Sequence, residues 1–99
     1  MLDKDNYPDE ASLKAIEKWD ILKKGVDGLL NLILKNTLWA DRQISITGKR
    51  ILCFEYHTGG WSGNEDVISA LRQNFLFWSM FWQKSTRGGH HYFRIIPIK

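Results

Sequence analysis

The first third of the chain has hydrophobic residues at the three-and-four spacing that is typical of a helix with one buried side. Pro8 suits the first turn of such a helix, and Asp9 and Glu10 suit its positively polarised start. Glycines in the pattern allow one long kinked helix or two helices, and we favour a break near Gly25. Asn36 is a candidate left-handed cap at the end. The hydrophobic stripe comprises Ile16, Trp19, Leu22, Val26, Leu29, Leu30 and Ile33.

From Gln43 the pattern changes to the alternation of apolar and polar residues that is typical of a strand. Ile44 and Ile46 alternate with hydroxyl residues, and residues 51–56 are rich in β-branched and aromatic side chains. We predict a β-hairpin whose second strand lies inside a sheet and is covered on both sides, by helices or by a partner. A two-residue and a three-residue loop through Gly48 both fit, so the register stays open.

The glycine-rich segment 58–66 leads into a further helix. Ser62 and Glu65 have the spacing of a capping box, which predicts a helix start near Gly63. The residue that would normally pack against Trp61 in such a motif is Asp66, so the usual hydrophobic staple does not form. Trp61 then either closes the loop over the edge of the core or serves as an exposed binding anchor.

After Asn74 the sequence fits two structures. As a strand, Leu76, Trp78, Met80 and Trp82 would share one face, and a glycine turn at 86–89 would return the chain into a strand over 91–97. As a helix, residues 67–82 would present one apolar stripe. Aromatic enrichment and the paired glycines favour the strand, which would place bulky rings on both faces of a second hairpin.

These elements predict an α+β fold: N-terminal helical segments, a β-hairpin, a helix and a second β-hairpin, around an antiparallel sheet of about four strands. The 99 residues suit a single domain over 1–99, with residues 1–7 frayed. No signal-peptide pattern opens the chain, Cys53 has no internal disulfide partner, and the apolar stretch 75–82 is too short to cross a bilayer. We therefore expect the protein in a reducing cytoplasm.

Charge is distributed unevenly along the chain. Residues 1–66 have a formal net charge of −2, whereas residues 67–99 have +5 and no acidic side chain. A basic end of this kind attracts phosphate or an acidic protein, although it is far less basic than a nucleic-acid-binding arm.

One strand carries candidate chemistry. Cys53, Glu55 and His57 are two apart, so they share a face of the strand. Glu55 and His57 can reach one metal ion together, whereas Cys53 and His57 are about 13 Å apart on that strand and cannot. No complete metal, cofactor or nucleophile motif is present, so we predict no cofactor and no metal site, and we favour a non-catalytic protein over an enzyme.

Two segments, TGGWSGNEDVISAL at 58–71 and RGGHHYF at 87–93, are similar to a pattern in small uncharacterised proteins encoded by bacteriophages and prophages. The resemblance covers about a fifth of the chain. It implies a phage setting and a location in the host cytoplasm, and it implies no activity.

The favoured hypothesis is a non-catalytic interaction protein that binds a protein partner, or a second copy of itself, through the aromatic second hairpin. One alternative is single-stranded nucleic-acid binding by the same hairpin, since aromatic rings beside cations stack bases and neutralise phosphates. Another is a small metal-dependent hydrolase that uses Glu55 and His57. The candidate binding residues are Trp61, Trp82, Lys84, Arg87, His90, His91 and Arg94.

Overall fold

The computed structural model describes residues 2–96 as an α+β fold in which short helices cover one face of a four-stranded antiparallel sheet. In chain order the elements are α1 (Glu10–Glu17), α2 (Ile21–Lys24), α3 (Asp27–Lys35), α4 (Ala40–Gln43), β1 (Ile44–Thr47), β2 (Leu52–His57), α5 (Ser62–Gln73), α6 (Phe75–Phe81), β3 (Trp82–Thr86) and β4 (His90–Ile95). The predicted fold class is confirmed.

Aspartate side chains cap the N-termini of the first two helices. Asp9 caps α1 by accepting a hydrogen bond from the Ser12 amide, and Asp20 caps α2 through the amides of Leu22 and Lys23. Gly25, with a φ of +78°, then ends α2. The predicted break near Gly25 is confirmed, and a second break before Asp20 was not predicted.

Two N-terminal predictions are wrong. Leu22 is 62% exposed and Ile21 is fully buried, because the break before Asp20 shifts the phase of the stripe that a continuous helix would have. Asn36 ends α3 with a φ of −109°, not in the left-handed region, and its side-chain amide donates to the Leu32 carbonyl oxygen at 2.8 Å. The left-handed residue is Trp39, with a φ of +57°.

The sheet has the strand order β1-β2-β4-β3, so β2 lies in its interior as expected. In the first hairpin Ile46 pairs with Phe54 and Thr47 with Cys53. The chain between Thr47 and Cys53 is therefore longer than the two- or three-residue loop predicted, and Ile51 lies outside the strand.

The core lies between the sheet and the helices. The rings of Phe54 and Phe93 stack at 5.3 Å on neighbouring strands, and Phe77 of α6 packs on Phe93 at 5.6 Å. Tyr56 is fully buried, and its hydroxyl lies 2.8 Å from the Thr37 hydroxyl. Burial raises the pKa of Tyr56 more than this hydrogen bond lowers it.

The predicted capping box does not form. The helix starts at Ser62, close to the predicted position, but Trp61 is the residue that precedes it, and no side chain caps it. Ser62 is already inside the first turn, and its hydroxyl lies 2.7 Å from the Tyr7 hydroxyl. Glu65 instead accepts a hydrogen bond from the Thr58 hydroxyl.

The prediction of a strand directly after Asn74 is wrong, because residues Phe75–Phe81 form a helix. The continuous-helix alternative fails as well, since Asn74 ends α5 with a ψ of 86° and its side chain caps α6 through the Phe77 amide. The second hairpin is present but starts only at Trp82, and its second strand is His90–Ile95. Pro97, at the end of the predicted strand, lies outside the described residues.

Candidate functional site

One face of the sheet has no helix over it. Strand residues alternate between faces, and the cross-strand pairs show which positions of the four strands share a face. The buried Phe54, Tyr56 and Phe93 point to the helices, so the residues between them point away. We call this second side the open face, and all its members are exposed or half-buried: Ser45, Thr47, Cys53, Glu55, His57, Lys84, Thr86, His90, Tyr92 and Arg94.

The open face belongs to the basic part of the molecule. The two hairpin segments, 43–57 and 82–96, contain five Lys or Arg residues and a single carboxylate, that of Glu55. Lys84 and Arg94 lie on the open face, and Lys49, Arg50 and Arg87 lie in the turns that join its strands. The remaining described segments, 2–42 and 58–81, contain eight basic and ten acidic residues. The charge asymmetry of the sequence therefore becomes an asymmetry between the sheet and the helices.

A chain of polar contacts joins β2 and β4 at the end of the open face next to the β3–β4 turn. His57 and His90 face each other as a cross-strand pair, with their Nδ1 atoms 2.7 Å apart. The other ring nitrogen of His57, Nε2, lies 3.3 Å from Glu55 Oε1. The side chains of His57 and Glu55 are 27% and 42% exposed, so the chain is open to solvent along its length.

Tyr92 is the aromatic residue of the open face. It pairs with Glu55 on one neighbouring strand and with Lys84 on the other. The Lys84 ammonium lies 5.0 Å from the centre of the Tyr92 ring, and the His57 ring lies edge-on to that ring at 6.0 Å. A half-buried ring thus sits between a cation and the histidine pair.

The adjacent histidines of β4 lie on opposite faces, as strand geometry predicted. His90 belongs to the open face, whereas His91 is buried on the helix side. The Nδ1 atom of His91 lies 2.8 Å from the Ser85 hydroxyl, and its ring meets Trp78 at 6.5 Å. Burial lowers the pKa of His91. His91 therefore does not share a surface with His90.

The two tryptophans proposed as binding residues lie elsewhere. Trp82 stacks on Trp78 at 5.7 Å on the helix side of the sheet, and its Nε1 donates to Ser85. The Trp61 ring packs on Tyr7 at 4.9 Å, and its Nε1 donates to the Asn6 carbonyl oxygen. Of the candidate binding residues, the structure brings together on the open face only Lys84, His90 and Arg94, with Arg87 in the adjoining turn.

The large apolar side chains that are exposed in this part of the chain lie on α6 and at the first residue of β3, not along the hairpin. Phe75 is 80% exposed, Met80 43% and Trp82 40%. Because residues 75–81 are helical, the opposite positions, Phe77 and Phe81, enter the core. The open face of the second hairpin therefore carries one large ring, Tyr92, and not the row of aromatic residues on which the expectation of a second cover was based.

Glu55, His57 and Tyr92 were missing from the predicted binding set. The alternation of Cys53, Glu55 and His57 placed two of them on one face, but the sequence did not show that β2 and β4 are neighbours. That pairing is what sets His57 opposite His90 and Glu55 opposite Tyr92.

Within residues 2–96, no three His, Cys, Asp or Glu side chains lie together in a way that fits a metal ion. No helix in the same range is long and apolar enough to span a bilayer. No protein-family model matches the chain, and neither the curated proteins nor the solved structures include a significant match.

Proposed function

We propose that the open face binds single-stranded nucleic acid. The observation that supports this is the position of the half-buried Tyr92 ring between Lys84 and the histidine pair, on a helix-free sheet face with a single carboxylate. Aromatic and histidine rings stack on unpaired bases, and Lys and Arg side chains neutralise the phosphates between them.

The shape of the surface favours a single strand over a duplex. Tyr92 and the histidine rings lie on a broad sheet face, where a base must be unstacked to reach them. The cations lie on both sides of the rings: Lys84 on the outer strand, Arg87 in the turn and Arg94 further along β4. This arrangement suits a backbone that crosses the strands while its bases face the sheet.

A groove beside the first hairpin extends the basic surface. It has a volume of about 340 Å³ and is lined by Lys24, Lys49 and Arg50 above an apolar floor of Leu52 and Ile95. Asp27 contributes the groove's one carboxylate. Leu52 and Ile95 point to the helix side of the sheet, so the groove lies at the ends of β2 and β4 on that side, and a bound strand would reach it by passing around these strand ends.

The test is fluorescence anisotropy with a labelled DNA 20-mer, its duplex and a 2′-O-methyl RNA strand of the same sequence. We expect both single strands to bind more tightly than the duplex, with an affinity that falls steeply with salt. Lys84→Ala and Arg94→Ala should each reduce the slope of log affinity against log salt by about 0.7. Tyr92→Ala should cost about 1–3 kcal/mol of stacking energy.

Lys35→Ala is the matched control, because Lys35 is an exposed cation at the end of α3, outside the hairpins. Its salt slope should equal that of the unmodified protein. The proposal is wrong if neither single strand binds at low salt, or if Lys35→Ala weakens binding as much as Lys84→Ala does.

The exposed aromatic residues of α6 support a second candidate function, association with a protein partner or with a second copy of the chain. Phe75 is 80% exposed, and large rings of this kind are frequent anchors in protein interfaces. Sedimentation equilibrium of the unmodified protein and of Phe75→Ser tests self-association. A dimer that Phe75→Ser weakens would support it, whereas a monomer at every concentration would exclude it.

The phage setting and the location in the host cytoplasm, which the sequence resemblance implies, stay predictions. The exposed free thiol of Cys53 supports a reducing compartment, where it would remain unoxidised. Maleimide labelling of Cys53 in freshly lysed cells, without added reductant, would show whether the thiol is free there.

A further inference from the structure

We propose that the open face also cleaves the RNA strand it binds, with His90 as the general base that activates the ribose 2′-hydroxyl. This inference rests on the proposed function, since the strand must first lie on the open face. It assigns His90 as a catalytic residue, with His57 and Glu55 as positioning residues that act through it.

The contacts fix where the protons lie on the two imidazoles. A carboxylate accepts but does not donate, so Glu55 Oε1 favours a proton on His57 Nε2, 3.3 Å away. Neutral His57 then presents a lone pair at Nδ1. Because this atom is 2.7 Å from Nδ1 of His90, the latter must carry the proton and donate it. Neutral His90 is left with its lone pair on Nε2, which is the atom able to take up a proton.

The contacts of His90 and His57 need no rearrangement when this atom takes up a proton. When His90 Nε2 gains a proton, the ring becomes a cation that still donates from Nδ1 to His57. His57 in turn stays oriented by the Glu55 carboxylate. In hydrolytic triads a carboxylate orients the base directly; here His57 orients the base and Glu55 holds His57, so the chain is one residue longer.

The basic nitrogen lies where a sugar-phosphate backbone can approach. It is at the β3–β4 turn, and a Cβ atom placed on Gly88 would be 3.2 Å from His90 Nε2. Gly88 has a φ of +91°, which disfavours any side chain there. The turn therefore keeps the space beside His90 Nε2 free of a side chain, and Arg87 provides a cation next to it in the chain.

Lys84 on the outer strand β3 donates the proton that the leaving oxygen needs. In the proposed step the 2′-oxygen attacks phosphorus while its proton moves to His90 Nε2, forming the bond from phosphorus to O2′. The bond from phosphorus to O5′ breaks, and O5′ takes a proton from the Lys84 ammonium. The His90 imidazolium then releases its proton to solvent and Lys84 takes one from solvent, so both residues return to their starting states. Lys84 is diagonal to His90 across the hairpin, because it pairs with Tyr92 while His90 pairs with Thr86.

The products are a 2′,3′-cyclic phosphate and a 5′-hydroxyl. The step is neither oxidative nor reductive, and the strand supplies its own nucleophile. This identifies the substrate class as RNA, since DNA has no 2′-hydroxyl. Single-stranded RNA and single-stranded DNA should both bind, and only the RNA should be cut.

The experiment incubates the full chain with the labelled RNA 20-mer and the DNA strand of identical sequence, in EDTA, from pH 5 to pH 9. We expect RNA fragments with cyclic phosphate ends, identified by mass spectrometry, and intact DNA. Intact RNA on a protein that binds the DNA strand would overturn the cleavage inference and leave the proposed function standing. Intact RNA together with no binding of either strand would overturn both.

Variants separate the roles and exclude a contaminating nuclease. His90→Ala should lose about 100-fold or more of the cleavage rate while it still binds the DNA strand. His90→Gln keeps an amide that can donate to His57, and it provides the same test if His90→Ala fails to fold. An unchanged rate in the folded His90 variant would overturn the assignment.

His57→Phe and Glu55→Gln test positioning. Both variants should lower kcat for RNA cleavage and leave KM nearly unchanged, because His57 and Glu55 orient the His90 ring and do not hold the strand. A merely structural role would change KM and the melting temperature together with kcat, and that result would overturn the assignment of these two residues. Lys35→Ala, at an exposed cation at the end of α3 and outside the open face, is the control and should leave both kcat and KM unchanged.

Discussion

The side-chain amide of Asn74 donates a hydrogen bond to the main-chain carbonyl oxygen of Ile16 at 2.9 Å, across 58 residues of sequence. The same amide donates to the Trp19 carbonyl oxygen at 3.0 Å, where α1 has ended and α2 has not begun. Its side-chain oxygen accepts from the Phe77 amide and so starts α6. One buried side chain thus satisfies the end of one helix and the start of another.

Asn74→Ala should therefore destabilise the fold strongly. The change leaves two buried carbonyl oxygens without this donor and α6 without its cap, which together should cost about 2–4 kcal/mol of unfolding free energy. Urea unfolding followed by tryptophan fluorescence measures it. Gln73→Ala, at the exposed neighbouring position, should change the free energy by less than about 0.5 kcal/mol. Equal effects of the two substitutions would contradict this account of Asn74.

Asn74 also shows why the local sequence pattern predicted the first hairpin and α5 better than it predicted the residues that follow Asn74. Alternation around Ile44 and periodicity around Val67 reflect neighbours along the chain, so the first hairpin and α5 were predicted correctly. The aromatic run after Asn74 fits either a strand or a helix when considered alone. The contacts of Asn74 with Ile16 and Trp19 help to fix its start as a helix, and those partners lie far away in the sequence.

Which residues meet on the open face also depends on pairing between strands that are distant in the sequence. Period-two alternation correctly placed Glu55 and His57 together and separated His90 from His91. The adjacency of β2 and β4, which makes a pair of His57 and His90, follows from the way the whole chain packs. Trp82 was proposed as a binding residue, but it lies on the helix side of the sheet. It pairs there with Phe93 of β4, and its ring stacks on Trp78 of α6.

Thr58 should be more important than Ser62 for the start of α5. The Thr58 hydroxyl is buried and donates to the Glu65 carboxylate, whereas the Ser62 hydroxyl lies 2.7 Å from the Tyr7 hydroxyl at the protein surface. Thr58→Val keeps the shape and removes the donor, so it should cost about 1.5–3 kcal/mol. Ser62→Ala should cost less than about 1 kcal/mol.

Thermal unfolding of the two variants checks this ranking. A capping box at Ser62, which the spacing to Glu65 suggested, would give the reverse order, with Ser62→Ala the more damaging change. Glu65→Gln should resemble Thr58→Val in direction, because it removes the charge that the Thr58 hydroxyl donates to.

Gly28→Ala should destabilise the protein even though alanine favours helices. Gly28 lies inside α3, where alanine would ordinarily add about 1 kcal/mol of stability. A Cβ at this position would lie 2.6 Å from Cζ2 of Trp19, so the indole must move. That ring is held by its Nε1 hydrogen bond to the Gly25 carbonyl oxygen at 2.9 Å. We expect a net loss of about 1–3 kcal/mol by chemical denaturation.

Removing the ring should reverse the sign. In a Trp19→Leu background the clash disappears, and Gly28→Ala should then be neutral or stabilising. A loss of equal size in both backgrounds would show that the indole is not the obstacle. This double-mutant cycle compares the two substitutions directly.

His91 should make the stability of the fold depend on pH. Burial lowers the pKa of this histidine below its ordinary value of 6.5, and Glu65 opposes that shift while Arg72, His90 and His57 add to it. Below pH 6.5 the unfolded chain therefore binds a proton that the folded protein does not bind, so the free energy of unfolding falls as the pH falls. The loss ends once the pH is below the lowered pKa of the folded state.

Replacing the titrating ring separates this effect from the histidines of the open face. His91→Phe should flatten the decline in melting temperature between pH 7 and pH 5, whatever it does to the melting temperature at pH 7. The Nε2 atom of His91 has no hydrogen-bond partner among residues 2–96, so this nitrogen loses no bond in the variant. His90→Gln, which removes an accessible imidazole, should leave most of the decline in place. The opposite ranking would assign the pH dependence to the open face.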